Sequence, residues 1–307
     1  MSVDIARGVG PARIDIAYER FGEPARPPVL LLMGLGTQML GWPDGFCDAL
    51  VRHGLHLIRF DNRDIGLSTY LRDVLAFDVR AALLGDVASA SYTLADMAGD
   101  TVGLLDALGL DSAHLVGASM GAMIAQTVAI EHPGRVRSLT SIMSSTGDPS
   151  VGRATQRALA ALLSPPAATR AEAIERTVSI LGVIGSPGFE LDEADVRWRT
   201  GLAYDRAHDP VGVARQLVAI AASGDRTAAL RSVSVPTLVL HGADDPLVDV
   251  SGGRATARAI PGAELIEFEG MGHHLSRELW GEIARHIGEL VQRAEATRAG
   301  APSVTRP

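Results

Sequence analysis

Lysine is absent from this chain: all 28 basic residues are arginine, set against 36 acidic residues for a formal net charge of −8. A surface of that sign is a poor partner for nucleic-acid phosphates or an anionic membrane face, and simple solubility accounts for it. Cysteine is nearly absent. Cys47 stands alone, which excludes an intramolecular disulfide and a cysteine-based zinc site. Aromatic residues make up only 4%, too few for stacking on exposed bases to be the main activity. The longest apolar run, Pro28 to Met33, is far too short to span a bilayer. Met1 to Gly10 has no basic segment followed by an apolar one, so no secretory signal is expected and the cytoplasm is the expected location. No internal repeat and no coiled-coil heptad is present. What remains is 307 residues, 47% hydrophobic and 21% charged. That suits a globular protein of one large domain, or one domain carrying an insert.

The apolar residues then place the elements. Ala12 to Phe21 alternates Ile14, Ile16 and Tyr18 with Asp15 and Glu19, the pattern of a half-buried antiparallel strand. Val29 to Met33 and Leu55 to Phe60 are continuously apolar or nearly so, as strands of a parallel sheet covered on both faces are. A short helix is expected over Trp42 to His53, closed by Gly54, and another over Leu94 to Leu108, opened by a Thr93-x-x-Asp96 capping box and closed by Gly109. Tyr70 to Ala90 is ambiguous, with a short helix around Val79 to Leu84. Further strands are expected at Val136 to Met143, Pro236 to Leu240 and Ala263 to Phe268, with helices at Arg254 to Ile260 and Glu278 to Gln292. Between residues 144 and 230 the pattern is helical only, with stretches at Arg157 to Leu163, Arg170 to Leu181 and Val211 to Ala222. The reading is an α/β core (1–143 and 231–292) interrupted by a helical cap (144–230) and followed by a disordered tail (293–307).

The stretch that organises the chain is His114-Leu-Val-Gly117-Ala-Ser119-Met120-Gly121, an apolar run ending in Gly-x-Ser-x-Gly and passing at once into a helix-compatible segment. This is the form of a nucleophile elbow: the strand turns into a helix within a few residues and holds Ser119 in a strained conformation at the helix start. A serine hydroxyl needs a base, and the base an orienting acid. Two later strands end in His241-Gly-Ala-Asp244-Asp245-Pro246 and Glu269-Gly270-Met-Gly272-His273-His274. The order along the chain is therefore Ser, acid, His, each on a loop at the carboxyl edge of the sheet. His273, after its Gly-x-Gly, is preferred to His274. Asp245, before Pro246, is preferred to Asp244, whose alternative is turn hydrogen bonding, with Asp148 third. The glycine-rich loop Met33-Gly34-Leu35-Gly36 lacks a phosphate-binding consensus and reads instead as half of an oxyanion hole, with the N–H of Leu35 on one side and that of Met120 on the other. Neither close histidine pair, His53/His56 or His273/His274, has the spacing of a helical metal site, so no metal and no other cofactor is expected.

Taken as a set, Met-Gly-Leu-Gly, Asp61-Asn-Arg-Asp-Ile-Gly-Leu-Ser68, Gly-Ala-Ser-Met-Gly and Gly-Met-Gly-His resemble the α/β-hydrolase superfamily of serine esterases. The likeness is strongest to the aclacinomycin methylesterase-like branch and to mycobacterial-type lipase/esterases, over about residues 10 to 292. The resemblance implies an α/β-hydrolase fold, a mostly parallel central sheet flanked by helices with a helical cap insert. It also implies a triad of Ser119, Asp245 and His273, oxyanion donors at Leu35 and Met120, and a cap at 144–230. Met33-Gly34 stands where the wider superfamily has His-Gly, and Asp61-Asn-Arg-Asp64 where it has Asp-x-Arg-Gly. Both fit the methylesterase-like branch and speak against haloperoxidase-like enzymes and dehalogenases.

The expected function is a serine carboxylic-ester hydrolase acting on a small-to-medium apolar ester, a polyketide methyl ester or a lipid ester. The same triad would equally serve a thioesterase, an acyltransferase or a carbon–carbon bond hydrolase. A non-catalytic ligand-binding homologue is the reading from another class; it would be favoured by loss of a triad residue, and none is lost. Trp198, Tyr204 and Met143 are candidates to line an apolar substrate pocket, with ordinary packing as their alternative. The expected partner is the small-molecule ester itself; the sequence fixes no oligomeric state.

Overall fold

The computed structural model describes residues 3–72 and 78–300. Eight strands form one sheet: β1 (Asp4–Val9), β2 (Ile14–Phe21), β3 (Pro28–Leu32), β4 (His56–Phe60), β5 (Ala113–Ala118), β6 (Val136–Ile142), β7 (Thr237–Gly242) and β8 (Glu264–Phe268). Their spatial order is β1-β2-β4-β3-β5-β6-β7-β8. The pairs β1/β2 and β2/β4 are antiparallel, and from β4 to β8 every pair is parallel.

Helices cover both faces, which is why the inner strands are apolar without a break. Alternate residues of one strand enter different cores: Leu30 and Leu32 join one apolar cluster, Val29 and Leu31 the other. The first cluster is completed by α3 (Leu94–Ala107) and α4 (Met120–Glu131), through Met97, Leu104, Ile124 and Val128. The second is completed by α1 (Asp44–Val51) and α11 (Trp280–Gly300), through Phe46, Leu50, Ile283 and Ile287. Asp96 closes the start of α3 by accepting from both the backbone and the hydroxyl of Thr93 (2.8 and 2.9 Å). Two further short elements, α2 (Val79–Leu83) and α10 (Ser251–Ala259), lie where the sequence suggested them. Residues 73–77 of the ambiguous Tyr70–Ala90 stretch lie outside the described residues. Among the described residues no helix is long and apolar enough to cross a membrane.

Between β6 and β7 the chain makes α5 (Gln156–Leu162), α6 (Arg170–Ile184), α7 (Glu193–Arg206), α8 (Pro210–Ala222) and α9 (Thr227–Leu230). Two of these, α7 and α9, were not expected from periodicity. The residues of α7 are strongly polar on most faces and bury only Val196 and Gly201, so no apolar stripe announces it. Strand β1 was also unread; Gly8 with positive φ interrupts its pairing with β2.

The tail expected from residue 293 requires correction. Helix α11 continues through Gly300: Ala294 is buried, Arg293 pairs with Glu264 (2.6 Å) and Glu295 reaches Arg137 and His114 (3.2 Å each). Small and charged residues had suggested a loose end, yet Ala, Glu and Arg are good helix formers once one face is anchored. Residues 301–307 lie outside the described residues.

His114 is fully buried on β5, with Nδ1 at 2.8 Å from the Ser138 hydroxyl. Burial holds its imidazole down at about 4, although Glu295 pulls the other way. An unfolded chain takes up this proton near pH 6.5, the folded chain only near 4. Stability is therefore complete above pH 6.5 and falls as the pH drops toward 4, by at most about 3 kcal/mol from this group. Urea unfolding across pH 4–7 should show that loss, and His114→Gln should flatten it. Identical pH slopes in the two proteins would contradict this.

Candidate active site

Ser119 links the end of β5 to the first residue of α4 with φ 53° and ψ −120°. For a residue with a side chain this conformation costs on the order of 1–3 kcal/mol and must be imposed by its surroundings. The surroundings are visible. A Cβ at Gly117 would strike Gly121 and Ala122, and one at Gly121 would strike the Leu32 carbonyl. Only bare Cα atoms let α4 begin this close to β3 and β5. The Ser119 N–H donates to the Ile142 carbonyl (2.9 Å), and its own carbonyl accepts from the Ser144 hydroxyl (2.9 Å). The turn is thus pinned on both sides of the side chain it presents.

Residues from two other loops meet that side chain. His273 Nε2 lies 3.1 Å from Ser119 Oγ, and His273 Nδ1 lies 2.7 Å from Asp245 Oδ2. The other oxygen of Asp245 accepts from the N–H groups of Leu247 (2.8 Å) and Val248 (2.9 Å), and the carboxylate is wholly removed from solvent. With one carboxylate oxygen beside Nδ1, that nitrogen carries the proton, which leaves Nε2 free to accept from the serine.

The rival residues go elsewhere. Asp244 accepts from the Gly270 N–H (2.8 Å), the turn role that was its alternative. Asp148 caps its own turn by accepting from Ser150 (2.8 Å). His274 occupies a small niche with Asp195, Arg199 and Trp280, where burial pushes its imidazole down to about 4. A third histidine stands near the acid: His241 is buried, sits 2.7 Å from the Val248 carbonyl and 3.7 Å from Asp245 Oδ2, and burial lowers its pKa.

The glycine-rich loop after β3 lies against the serine; a Cβ at Gly34 would come within 3.2 Å of Ser119 Cβ. That places the Leu35 backbone beside the elbow, while the Met120 N–H opens α4, where the first N–H groups have no intrahelical acceptor. The loop is held from the helical segment between β6 and β7. Gln216 on α8, fully buried, accepts from the Gly36 N–H (2.9 Å) and donates to the Arg63 carbonyl (2.7 Å).

Asp61-Asn62-Arg63-Asp64, to which the sequence assigns no role beyond its place among the family-like motifs, anchors these parts. Arg63 pairs with Asp100 through two bonds (2.6 and 2.7 Å), and Asp64 with Arg215 of α8 (2.9 and 2.7 Å). Asp61 accepts from the Met39 and Leu67 N–H groups and from Arg206 at the end of α7. All three pairs are largely or fully buried.

The three residues expected in a substrate pocket have different surroundings. Trp198 on α7 is 63% exposed. Tyr204 donates to the Ala168 carbonyl and stacks on His208, within the cap. Met143 is buried at the end of β6, in the apolar cluster that holds Ala118 and Met271. An isolated aromatic on a polar helix carries no signal of which face it will present, so packing decided each case. Among the described residues no group of three His, Cys, Asp or Glu is arranged to hold a metal ion.

Residues 27–277 match the profile of the alpha/beta hydrolase fold family. The chain belongs to that family. It is 30% identical over 291 residues to rhodomycin D methylesterase DnrP of Streptomyces peucetius and 31% identical to rhodomycin D methylesterase DauP of Streptomyces sp. strain C5. In both cases the match covers 88% of this chain and 92% of the relative. Among solved structures, a hydrolase from Pseudomonas aeruginosa superposes with a TM-score of 0.68 at 25% identity, covering 98% of this chain and 99% of that one.

Removing one member of a buried pair should be costly, because the partner's charge is left without water or counter-ion. Asp100→Ala, which strands Arg63, is expected to cost about 3–5 kcal/mol, whereas Asp100→Leu with Arg63→Met should recover much of it. Urea denaturation of the three proteins checks this; a single variant within about 1 kcal/mol of wild type would contradict it.

Proposed function

We propose that this chain is a serine carboxylic-ester hydrolase with Ser119 as nucleophile, His273 as general base and acid, and Asp245 as the orienting acid. The observation that carries the reading is the unbroken chain from Ser119 Oγ through His273 to Asp245, at 3.1 and 2.7 Å. Ser119 Oγ attacks the ester carbonyl while His273 Nε2 takes its proton. The carbonyl oxygen becomes an oxyanion beside the N–H groups of Leu35 and Met120, each donor worth on the order of 3 kcal/mol when well aimed. Collapse of the tetrahedral intermediate breaks the bond to the alkoxide, which leaves as the alcohol with the proton from His273. Water, deprotonated by His273, then releases the acid and restores the serine.

The substrate class rests on the two relatives whose names describe methylesterases acting on rhodomycin D. A polyketide methyl ester is accordingly the proposed substrate type, with water as acyl acceptor.

Substitution kinetics on a p-nitrophenyl ester and on a polyketide methyl ester test the assignment. Ser119→Ala is expected to lower kcat about a million-fold. Asp245→Asn should lower it about 10,000-fold by favouring the wrong imidazole tautomer. Asp244→Asn, which keeps an acceptor for Gly270, should stay within about threefold. A Ser119→Ala protein that turns over near the native rate, or reversed effects of the two aspartates, would defeat the reading.

A further inference from the structure

The C-terminal end of α6 is laced to the loop that carries His273. The Gly188 N–H donates to the Gly270 carbonyl (2.9 Å), and the His273 N–H to the Ile184 carbonyl (2.7 Å). The hydroxyl of Ser186 does more: it accepts from the Gly272 N–H (3.0 Å) and donates to the His274 carbonyl (3.0 Å). One side chain from the cap therefore brackets His273, bonded to the residue before it and the residue after it. The contact is close enough to need bare backbone, since a Cβ at Gly272 would strike the Gly185 carbonyl and one at Gly188 would lie 2.6 Å from Gly270 Cα. Phe189, next along the chain, packs against the apolar cluster containing Met271 and Leu275 and ties the segment down.

A Gly-x-Gly before a histidine gives its loop room to place the imidazole. The structure gives those glycines another use: they admit the cap backbone. A Gly-Met-Gly loop has little stiffness of its own, yet His273 must hold two hydrogen bonds to residues of two other loops at once. The stiffness has to come from outside the loop: Asp244 holds Gly270 and Met271 from one side (2.8 and 3.0 Å), and Ser186 supplies two of the four bonds that reach the loop from the end of α6.

We propose that Ser186 is a positioning residue for the general base. Its hydroxyl fixes the backbone on both sides of His273, so that Nε2 stays in line with Ser119 Oγ. This rests on the Ser119–His273–Asp245 reading. It also makes the cap part of the catalytic apparatus, because any displacement of the α6 end carries His273 with it.

The test is a double-mutant cycle on p-nitrophenyl butyrate hydrolysis, with active sites counted by fluorophosphonate titration in the proteins that retain His273. Ser186→Ala is expected to lower kcat at least about tenfold with KM changed less than about threefold, since a misplaced base costs rate rather than binding. Ser186→Thr, which keeps the hydroxyl, should recover most of the loss. In a His273→Ala background the same Ser186→Ala change should have almost no effect, because a residue that acts through His273 has nothing left to position. Ser186→Cys fills the same space with a weakly bonding sulfur; it serves if the alanine variant does not fold and should show the same kcat-selective loss. An unchanged kcat in a folded Ala or Cys variant overturns the proposal, as does a loss of equal size with and without His273. Failure of the triad reading looks different: His273→Ala alone would then retain the wild-type rate.

Discussion

The first turn of α4 lies so close to β5 and to the carbonyl end of β3 that neither Gly117 nor Gly121 could carry a side chain. Much else depends on that contact. It forces Ser119 into a backbone conformation that residues with side chains avoid, and it puts the serine at the start of a helix with the glycine-rich loop pressed against it. The strain is borne by a sheet whose inner strands are buried on both faces and by hydrogen bonds on either side of the turn. A surface loop could not sustain such a residue; a fully packed α/β core can.

Around this rigid centre the remaining parts are held by the helices between β6 and β7 rather than by the sheet alone. At one end α8 grips the glycine-rich loop through Gln216 and the Asp61–Asp64 loop through Arg215. At the other, the end of α6 grips the histidine loop through Ser186 and the Ile184 carbonyl. The all-arginine composition acquires a structural sense here. Arg63 and Arg215 each reach a buried carboxylate through two parallel bonds, a planar, bidentate geometry that the single ammonium of lysine cannot match. These pairs contribute less to net stability than to fixing which loops lie together, since buried ions are costly to desolvate.

The sequence was informative where chemistry and backbone geometry impose the same residue. Gly-x-Ser-x-Gly, the Ser-acid-His order and the carboxyl-edge loops stood out because each needs particular residue types at particular steps. The parallel strands stood out because double-sided burial removes polar residues from them. The place before Pro246 favours Asp245 over Asp244 in the sequence, and in three dimensions the turn points the two adjacent carboxylates apart, one toward His273 and one toward the Gly270 N–H. Ser186 and Gln216 were illegible, because a lone polar residue in a helical insert has no spacing that betrays a partner some 80 or 180 positions away. Trp198 was hard to place for the converse reason. A large aromatic suggests burial on average, but a polar helix at the surface leaves one outside when nothing packs over it.

The central claim is that Ser119 is an activated nucleophile, and intact-mass spectrometry after exposure to a fluorophosphonate addresses it most directly. The account predicts one probe adduct per chain in the wild-type protein, mapped to Ser119 and absent from Ser119→Ala. A folded wild-type protein that takes up no probe, or an adduct that persists at another residue in Ser119→Ala, would contradict it.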